Sequence, residues 1–287
     1  MDHDMTFRTT AHSLLARVQA GLSHTELVHV PHPLWPLPST KILTSPRPLR
    51  ISVLDSSFNP PTLAHLALIN SLIPGKGEGE DYDARLLLLS VKNADKTLKA
   101  TDATYIQRLE MMRLLAGHVR PSSANVAIGI TNQPTFVAKS ASLLSFLRPC
   151  VPETPLFELS FIVGMDTLER LVAPRYYTSE ESMMESLNRF LSPQCDNSIV
   201  VCARRNVGNE GDDAGAAEDT LKPAREFIQT GRIKLMDIGA DESTFSSTNV
   251  RKLVKELGVG EEGRKVWGKF VVPSVAEFIV DEKLYVE

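Results

Sequence analysis

Short runs dense in aliphatic residues alternate along the chain with longer segments whose apolar side chains recur every three or four positions. Runs at about 50–55, Arg85 to Val91, Val126 to Ile130, Glu158 to Val163, 198–203 and Arg232 to Ile238 predict buried strands. Their unbroken apolarity suits a parallel sheet covered on both faces. Between them, helical spacing predicts helices from 62 to about 73, Tyr105 to His118, Phe136 to Leu147, about 166–172, 180–191 and near 220–229. Two last helices start near Ser247 and at about Pro273. Strand and helix alternate without an internal repeat. The implied class is α/β, a Rossmann-like doubly wound parallel sheet whose ligands sit at the carboxyl ends of its strands.

The first 48 residues read differently. Residues 1–30 look like a helix carrying Phe7, Leu14, Leu15, Val18 and Leu22 as one stripe. The segment Pro31-His-Pro-Leu-Trp-Pro-Leu-Pro38 cannot continue it, because each proline lacks an N–H and fixes φ. Residues 1–48 are therefore an N-terminal helical and Pro-rich extension packed on the surface, with no catalytic part, and 49–287 form the domain. The Gly/Ala/Asp-rich stretch 206–219 is expected to be a mobile surface insertion.

Composition narrows the function classes. The 287 residues are 43% hydrophobic and 23% charged, ordinary for a globular protein. A net charge of −4 supplies no global field for nucleic acid or an acidic membrane, though a local basic pocket remains compatible with it. No apolar run approaches the roughly 20 residues that span a bilayer. The three cysteines, Cys150, Cys195 and Cys202, are widely spaced and show no metal-ligand spacing. These features, with a polar N-terminus, lead to an expected cytoplasmic location, with the nucleus as an alternative. Oligomeric state, including a homo-oligomer, stays open.

Two stretches carry chemistry. In Ile51-Ser-Val-Leu-Asp-Ser-Ser-Phe-Asn-Pro-Pro-Thr-Leu-Ala-His65 a buried strand breaks at a tight turn and restarts as a helix. Backbone N–H groups and the positive helix end face such a turn. Thr62 and His65, three apart, share a helical face one turn from that end. Asp55, just before the turn, is placed to orient it by hydrogen bonds. Near the C-terminus, Thr244-Phe-Ser-Ser-Thr-Asn-Val-Arg251 offers Ser246, Ser247 and Thr248 as N-cap residues for a helix through Val250, Leu253 and Leu257. Arg251 lies where the dipole disfavours a cation, and a bound anion would account for it.

Together these stretches carry a family resemblance. Ser57, Phe58, Asn59, Pro60, Thr62 and His65 resemble the first signature of the nucleotidyltransferases of the HxGH superfamily, and Ser246, Ser247, Thr248 and Arg251 the second, SxTxxR-like one. Within it the chain looks most like the nicotinamide mononucleotide adenylyltransferases, especially a divergent fungal branch. Thr62 stands where many bacterial relatives have the first histidine, as in eukaryotic members. Gly164-Met165-Asp166 resembles the family's Gly-Ala-Asp. Asn93-Ala94-Asp95-Lys96 lies where the family has a phosphate-binding lysine, and Cys202-Ala203-Arg204-Arg205 resembles a strand ending in arginine. Ser56 and Ala64 replace glycines common in the first signature. Relatives often stack the pyridine ring on tryptophans, whereas Trp35 and Trp267 fall outside the corresponding segments; Phe136, Tyr176 or Tyr177 are the substitutes, or core residues.

The resemblance implies a nucleotidyltransferase-type fold and transfer of AMP from ATP to nicotinamide mononucleotide, giving NAD and pyrophosphate. It implies catalytic roles for His65 on the α/β-phosphates, Arg251 with Ser247 on the β/γ-phosphates, and Lys96 from the opposite wall. Asp166 would meet a ribose hydroxyl or cap its own helix. Ser57, Phe58, Asn59, Thr62, Gly164, Arg205, Ser246 and Thr248 would complete the nucleotide site. Arg108 reads better as a salt-bridge partner. Mg²⁺ is expected on the triphosphate, through water and phosphate oxygens rather than protein ligands. Other readings are an adenylyl- or cytidylyltransferase with another phosphate acceptor, and a nucleotide-binding regulatory or quality-control protein with weak turnover.

Overall fold

Seven strands form one sheet in the order β1-β4-β3-β2-β5-β6-β7. The computed structural model describes residues 2–38, 47–75, 81–92, 101–121, 125–151, 156–205, 221–238 and 245–286. The strands are β1 Thr25–His29, β2 Leu49–Asp55, β3 Ala84–Ser90, β4 Val126–Thr131, β5 Phe157–Gly164, β6 Ile199–Arg205 and β7 Ile233–Ile238. All neighbours pair parallel except β1, which runs antiparallel to β4 with Thr25 opposite Thr131. From β2 the chain steps outward to β3 and β4, then returns to the other side of β2 as β5. The carboxyl ends of β2 and β5 therefore flank the topological switch point, where open α/β sheets place ligands.

Period-2 alternation divides each strand between two cores. Leu87 and Leu89, with Leu54 and Ile162, pack with the N- and C-terminal helices on one face. Leu86 and Leu88, with Ile51, Val53, Phe161 and Val163, pack with the middle helices on the other. The resulting three layers account for strands with no polar face. The helices that matter below are α1 (Asp2–Gln19), α2 (Leu63–Ile69), α3 (Tyr105–Ala116), α4 (Phe136–Cys150), α5 (Met165–Leu171) and α6 (Glu180–Leu191). After them come α7 (Arg225–Gln229), α8 (Ser247–Leu257), α9 (Glu261–Trp267) and α10 (Pro273–Asp281).

The structure revises the sequence expectations in four places. The N-terminal helix stops at Gln19, short of 30, and Gly21 turns the chain at φ 73° into β1. Phe7, Leu15 and Val18 are buried, whereas Leu22 is 74% exposed. The first helix after β2 is 63–69, not 62–73, and the 220–229 helix is a 3-10 turn, Lys222–Ala224, followed by α7. Helix α9 was not anticipated, because charged residues and Gly263 leave it no clear apolar period. The expected insertion at 206–219 lies outside the described residues.

In the Pro-rich segment Trp35, 5% exposed, joins the core with Leu86 and Leu88, and its Nε1 donates to the Asn125 carbonyl at 3.2 Å. Trp267 is fully buried and donates to the Gly258 carbonyl at 3.0 Å. Both tryptophans are thus engaged in packing. Cys202 is buried, which raises its thiol to about 12 and leaves it inert; Cys150 and Cys195 are exposed. Among the described residues no helix is long and apolar enough to cross a membrane.

Candidate nucleotide site

Strand β2 delivers the first signature to the switch point. Phe58 holds φ at 44°, unusual for a bulky residue, and its side chain is fully buried. Its ring lies 5.2 Å from that of His65, so one aromatic contact fixes the turn against the helix that follows. Asn59, 4% exposed, turns its side chain inward. Its Oδ1 accepts from the Ala103 N–H at 3.2 Å and the Tyr285 hydroxyl at 2.9 Å, and its Nδ2 donates to Asp102 Oδ1 at 2.7 Å. The carbonyls of Ser57 and Asn59 accept from Arg108 and Arg251 respectively. The three residues therefore shape the turn through inward contacts, and Ser57 alone of them is exposed.

Thr62 is the N-cap of α2 and His65 its third residue. His65 Nδ1 lies 3.0 Å from the Thr62 backbone N–H and 2.9 Å from its hydroxyl. An N–H can only donate, so Nδ1 must accept, and the proton of the neutral ring sits on Nε2. Burial holds the imidazole neutral by lowering its pKa to about 4. Nε2–H then faces the Ser56 hydroxyl at 2.9 Å. His65 is thus a neutral donor with a fixed tautomer, and it keeps partial access to solvent.

The second signature docks onto the first. Ser246 caps α8 by accepting from the Asn249 N–H at 3.1 Å. Ser247 Oγ donates to the Pro60 carbonyl at 2.7 Å. Arg251 donates to the Asn59 carbonyl and, at 3.3 Å, to the exposed Thr248 hydroxyl, with Asp102 3.9 Å away. These contacts offset the unfavourable place of Arg251 near the positive end of α8. Arg108, 5% exposed, lies 3.7 Å from Asp102 and donates to the Ala103 carbonyl, in line with a salt-bridge role. Burial lowers its pKa, and Asp102 acts in the opposite sense.

Several groups here escaped sequence reasoning. Asp102 links Asn59, Arg108 and Arg251. Tyr285 reaches under the turn from the far end of the chain, and burial raises its hydroxyl well above the usual range. Lys139 of α4 is buried against Asp55. A lysine or aspartate in an amphipathic segment gives no sign of which way it faces; only the tyrosine, polar-tipped and among aliphatics, hinted at a buried partner.

Gly164 ends β5 and is itself the N-cap of α5, so Asp166 is not the cap but lies exposed in the first turn. An added Cβ at Gly164 would meet nothing within 4 Å, which leaves the backbone open to approach at the switch point. The backbone of Arg205 pairs with Ile238 in the β6–β7 ladder, and its side chain lies outside the described residues, as does the whole of Lys96. Phe136 meets Phe161 edge-on at 5.6 Å, Tyr177 donates to the Leu171 carbonyl, and Tyr176 is 39% exposed. Among the described residues no group of His, Cys, Asp and Glu could hold a metal ion. A cavity of about 490 Å³ between the start of β1 and α4, lined by His24, Gln133, Ser142 and Phe146, lies away from these signatures.

No family model matches the chain. Over 173 residues it is 35% identical to a Schizosaccharomyces pombe protein provisionally named a nicotinamide mononucleotide adenylyltransferase, a match covering 60% of this chain and 60% of that protein's length. Over 239 residues it is 28% identical to a Chlorobaculum tepidum protein, named as a probable nicotinate-nucleotide adenylyltransferase, covering 83% of this chain and 99% of the relative. Among solved structures, the Plasmodium falciparum nicotinic acid mononucleotide adenylyltransferase complexed with APC matches with a TM-score of 0.50 at 13% identity, over 82% of this chain and 96% of that one. At that identity the likeness speaks for the fold. By sequence the chain is similar to proteins named as nicotinamide and nicotinate mononucleotide adenylyltransferases, and its fold resembles that of the Plasmodium falciparum enzyme.

Proposed function

We propose that the protein transfers the adenylyl group of ATP to a pyridine mononucleotide, nicotinamide mononucleotide being the preferred acceptor, to give the dinucleotide and pyrophosphate. The observation that carries this reading is the docking of the two signatures, Ser247 on the Pro60 carbonyl and Arg251 on the Asn59 carbonyl. It gathers a neutral imidazole donor, a guanidinium, serine hydroxyls and a helix N-terminus at one strand end, a set suited to a polyphosphate. The names of the two curated relatives, one for the nicotinamide and one for the nicotinate form, support adenylyl transfer to a pyridine mononucleotide.

The reaction asks little covalent chemistry of the protein. An oxygen of the acceptor phosphate attacks the α-phosphorus of ATP, the bond to the α–β bridging oxygen breaks, and pyrophosphate leaves with the electron pair. The attacking phosphate is already largely ionised near neutrality, so no general base is needed. What the residues supply is alignment and positive charge. His65 Nε2–H would exchange the Ser56 hydroxyl for α/β-phosphate oxygens, where charge develops in the transition state. Arg251 and Ser247 would hold the β/γ-phosphates, with Lys96 across from them, and Asp166 would take a ribose hydroxyl beside the open backbone of Gly164. Mg²⁺ would arrive with the triphosphate on phosphate and water oxygens.

Purified protein incubated with ATP, Mg²⁺ and a panel of acceptor phosphates tests the proposal through pyrophosphate release. Release should be fastest with nicotinamide mononucleotide. Faster release with the nicotinic acid form reassigns the acceptor, and release only with a non-pyridine phosphate overturns the reading.

A further inference from the structure

Lys139 occupies the second turn of α4 and is 4% exposed. Its ammonium is bonded to Asp55 Oδ2 and lies 4.8 Å from the Phe136 ring centroid. The other carboxylate oxygen accepts from the Ser90 hydroxyl at 3.1 Å. Asp55 is the last residue of β2 and Ser90 the last of β3, so one carboxylate ties together the exits of two neighbouring strands. Ser56, the next residue, carries the hydroxyl that meets His65. A fixed negative charge one residue before an anion-binding turn would repel the ligand. A buried pair is also an expensive way merely to hold strands, since apolar residues of similar volume do so as well or better.

We propose that Lys139 is a positioning residue that neutralises Asp55, so that the turn from β2 into α2 presents no uncompensated negative charge to a nucleotide polyphosphate. The inference rests on the reading of that turn as a nucleotide site but not on the identity of the acceptor. It predicts effects of opposite sign from the two partners. Removing the cation exposes the carboxylate, whereas neutralising the carboxylate leaves a cation beside the phosphates. A purely structural pair would weaken binding from either side.

Calorimetric titration of ATP, without acceptor, into wild type, Lys139→Met, Asp55→Asn and the double variant reads this directly, with thermal unfolding alongside. Lys139→Met should weaken ATP binding about tenfold, the scale of one partly screened charge near a polyphosphate. Asp55→Asn should bind as tightly as wild type or more so, and the double variant should return to within about threefold of wild type. The proposal is overturned if both single variants weaken binding alike, or if Lys139→Met binds as wild type does. Should Lys139→Met fail to fold, the nearly isosteric Asp55→Asn decides alone: equal or tighter binding supports the proposal and weaker binding sinks it. Absence of ATP binding to wild type would instead overturn the nucleotide site itself.

Discussion

Asn59→Ala should destabilise the fold by about 3 kcal/mol, before any question of catalysis arises. The side chain makes three hydrogen bonds from a position 4% exposed, to the Ala103 N–H, the Tyr285 hydroxyl and Asp102. Alanine cannot replace any of them, and Ala103 and Tyr285 are themselves only 2% and 6% exposed. Each neutral bond is worth about 1 kcal/mol and the one to the carboxylate about 1.5 or more, with orphaned buried donors adding to the loss. Three such terms give about 3–4 kcal/mol, reduced somewhat where the loop relaxes or water enters. That is a large share of the roughly 5–15 kcal/mol that keeps a domain folded. Urea unfolding followed by fluorescence of the buried Trp35 and Trp267 measures it as a shift in midpoint at unchanged slope. Tyr285→Phe, which removes only one of the bonds, should cost about 1 kcal/mol, and the double variant should show coupling of similar size. A loss below about 1 kcal/mol for Asn59→Ala, accompanied by lost turnover, would refute an inward structural role and return the side chain to the ligand.

Three further outcomes test the site and its frame. His65→Ala should lower turnover in the acceptor assay by roughly 10²–10³, the scale of losing one transition-state donor; wild-type turnover would remove His65 from the mechanism. Because burial depresses the His65 pKa from 6.5 to about 4, the unfolded chain binds more protons between those values, so this contribution to stability is complete above pH 6.5 and is lost as pH falls toward 4. Urea midpoints for His65→Gln should therefore fall less steeply over that window than those of wild type. Gly263→Ala would place a Cβ 2.5 Å from the Gly258 carbonyl oxygen and 2.6 Å from that of Leu257, forcing α9 away from the end of α8. It should cost about 2 kcal/mol or more, seen as a fall of several degrees in thermal midpoint.

The parallel strands were legible because burial on both faces writes itself as continuous aliphatic runs, and β2 through β7 lie within one or two residues of those runs. Strand β1 was not, since five residues with a burial pattern of two covered and three half-covered positions carry too little periodicity to outweigh the helical stretch before them. Within the site, the legible residues were those whose type suits one backbone role, with Ser246 as a cap and the prolines as a break, whereas Thr62, read as the first helical residue, proved to be the cap. What could not be read was direction. Asn59 faces inward and Lys139 turns into the core rather than toward water, and both orientations are decided by partners distant in sequence. The N-cap alternative for Asp166 failed because the strand runs on to Gly164, which itself takes the cap position before the helix begins.

The turn at Asn59 and Pro60 is held by groups 187, 192 and 226 residues further along: the Ser247 hydroxyl, the Arg251 guanidinium and the Tyr285 hydroxyl. Contacts of such range close late, because loop-closure entropy must be met before they form. On the ribosome, the sheet from β2 to β5 can assemble while the polypeptide is still short of α8, with the turn already tied to Asp102, Ala103 and Arg108, but its bonds to Ser247, Arg251 and Tyr285 wait for the end of the chain. A nascent or C-terminally clipped chain would then own a nearly complete sheet around a turn that lacks its ties to α8 and to Tyr285.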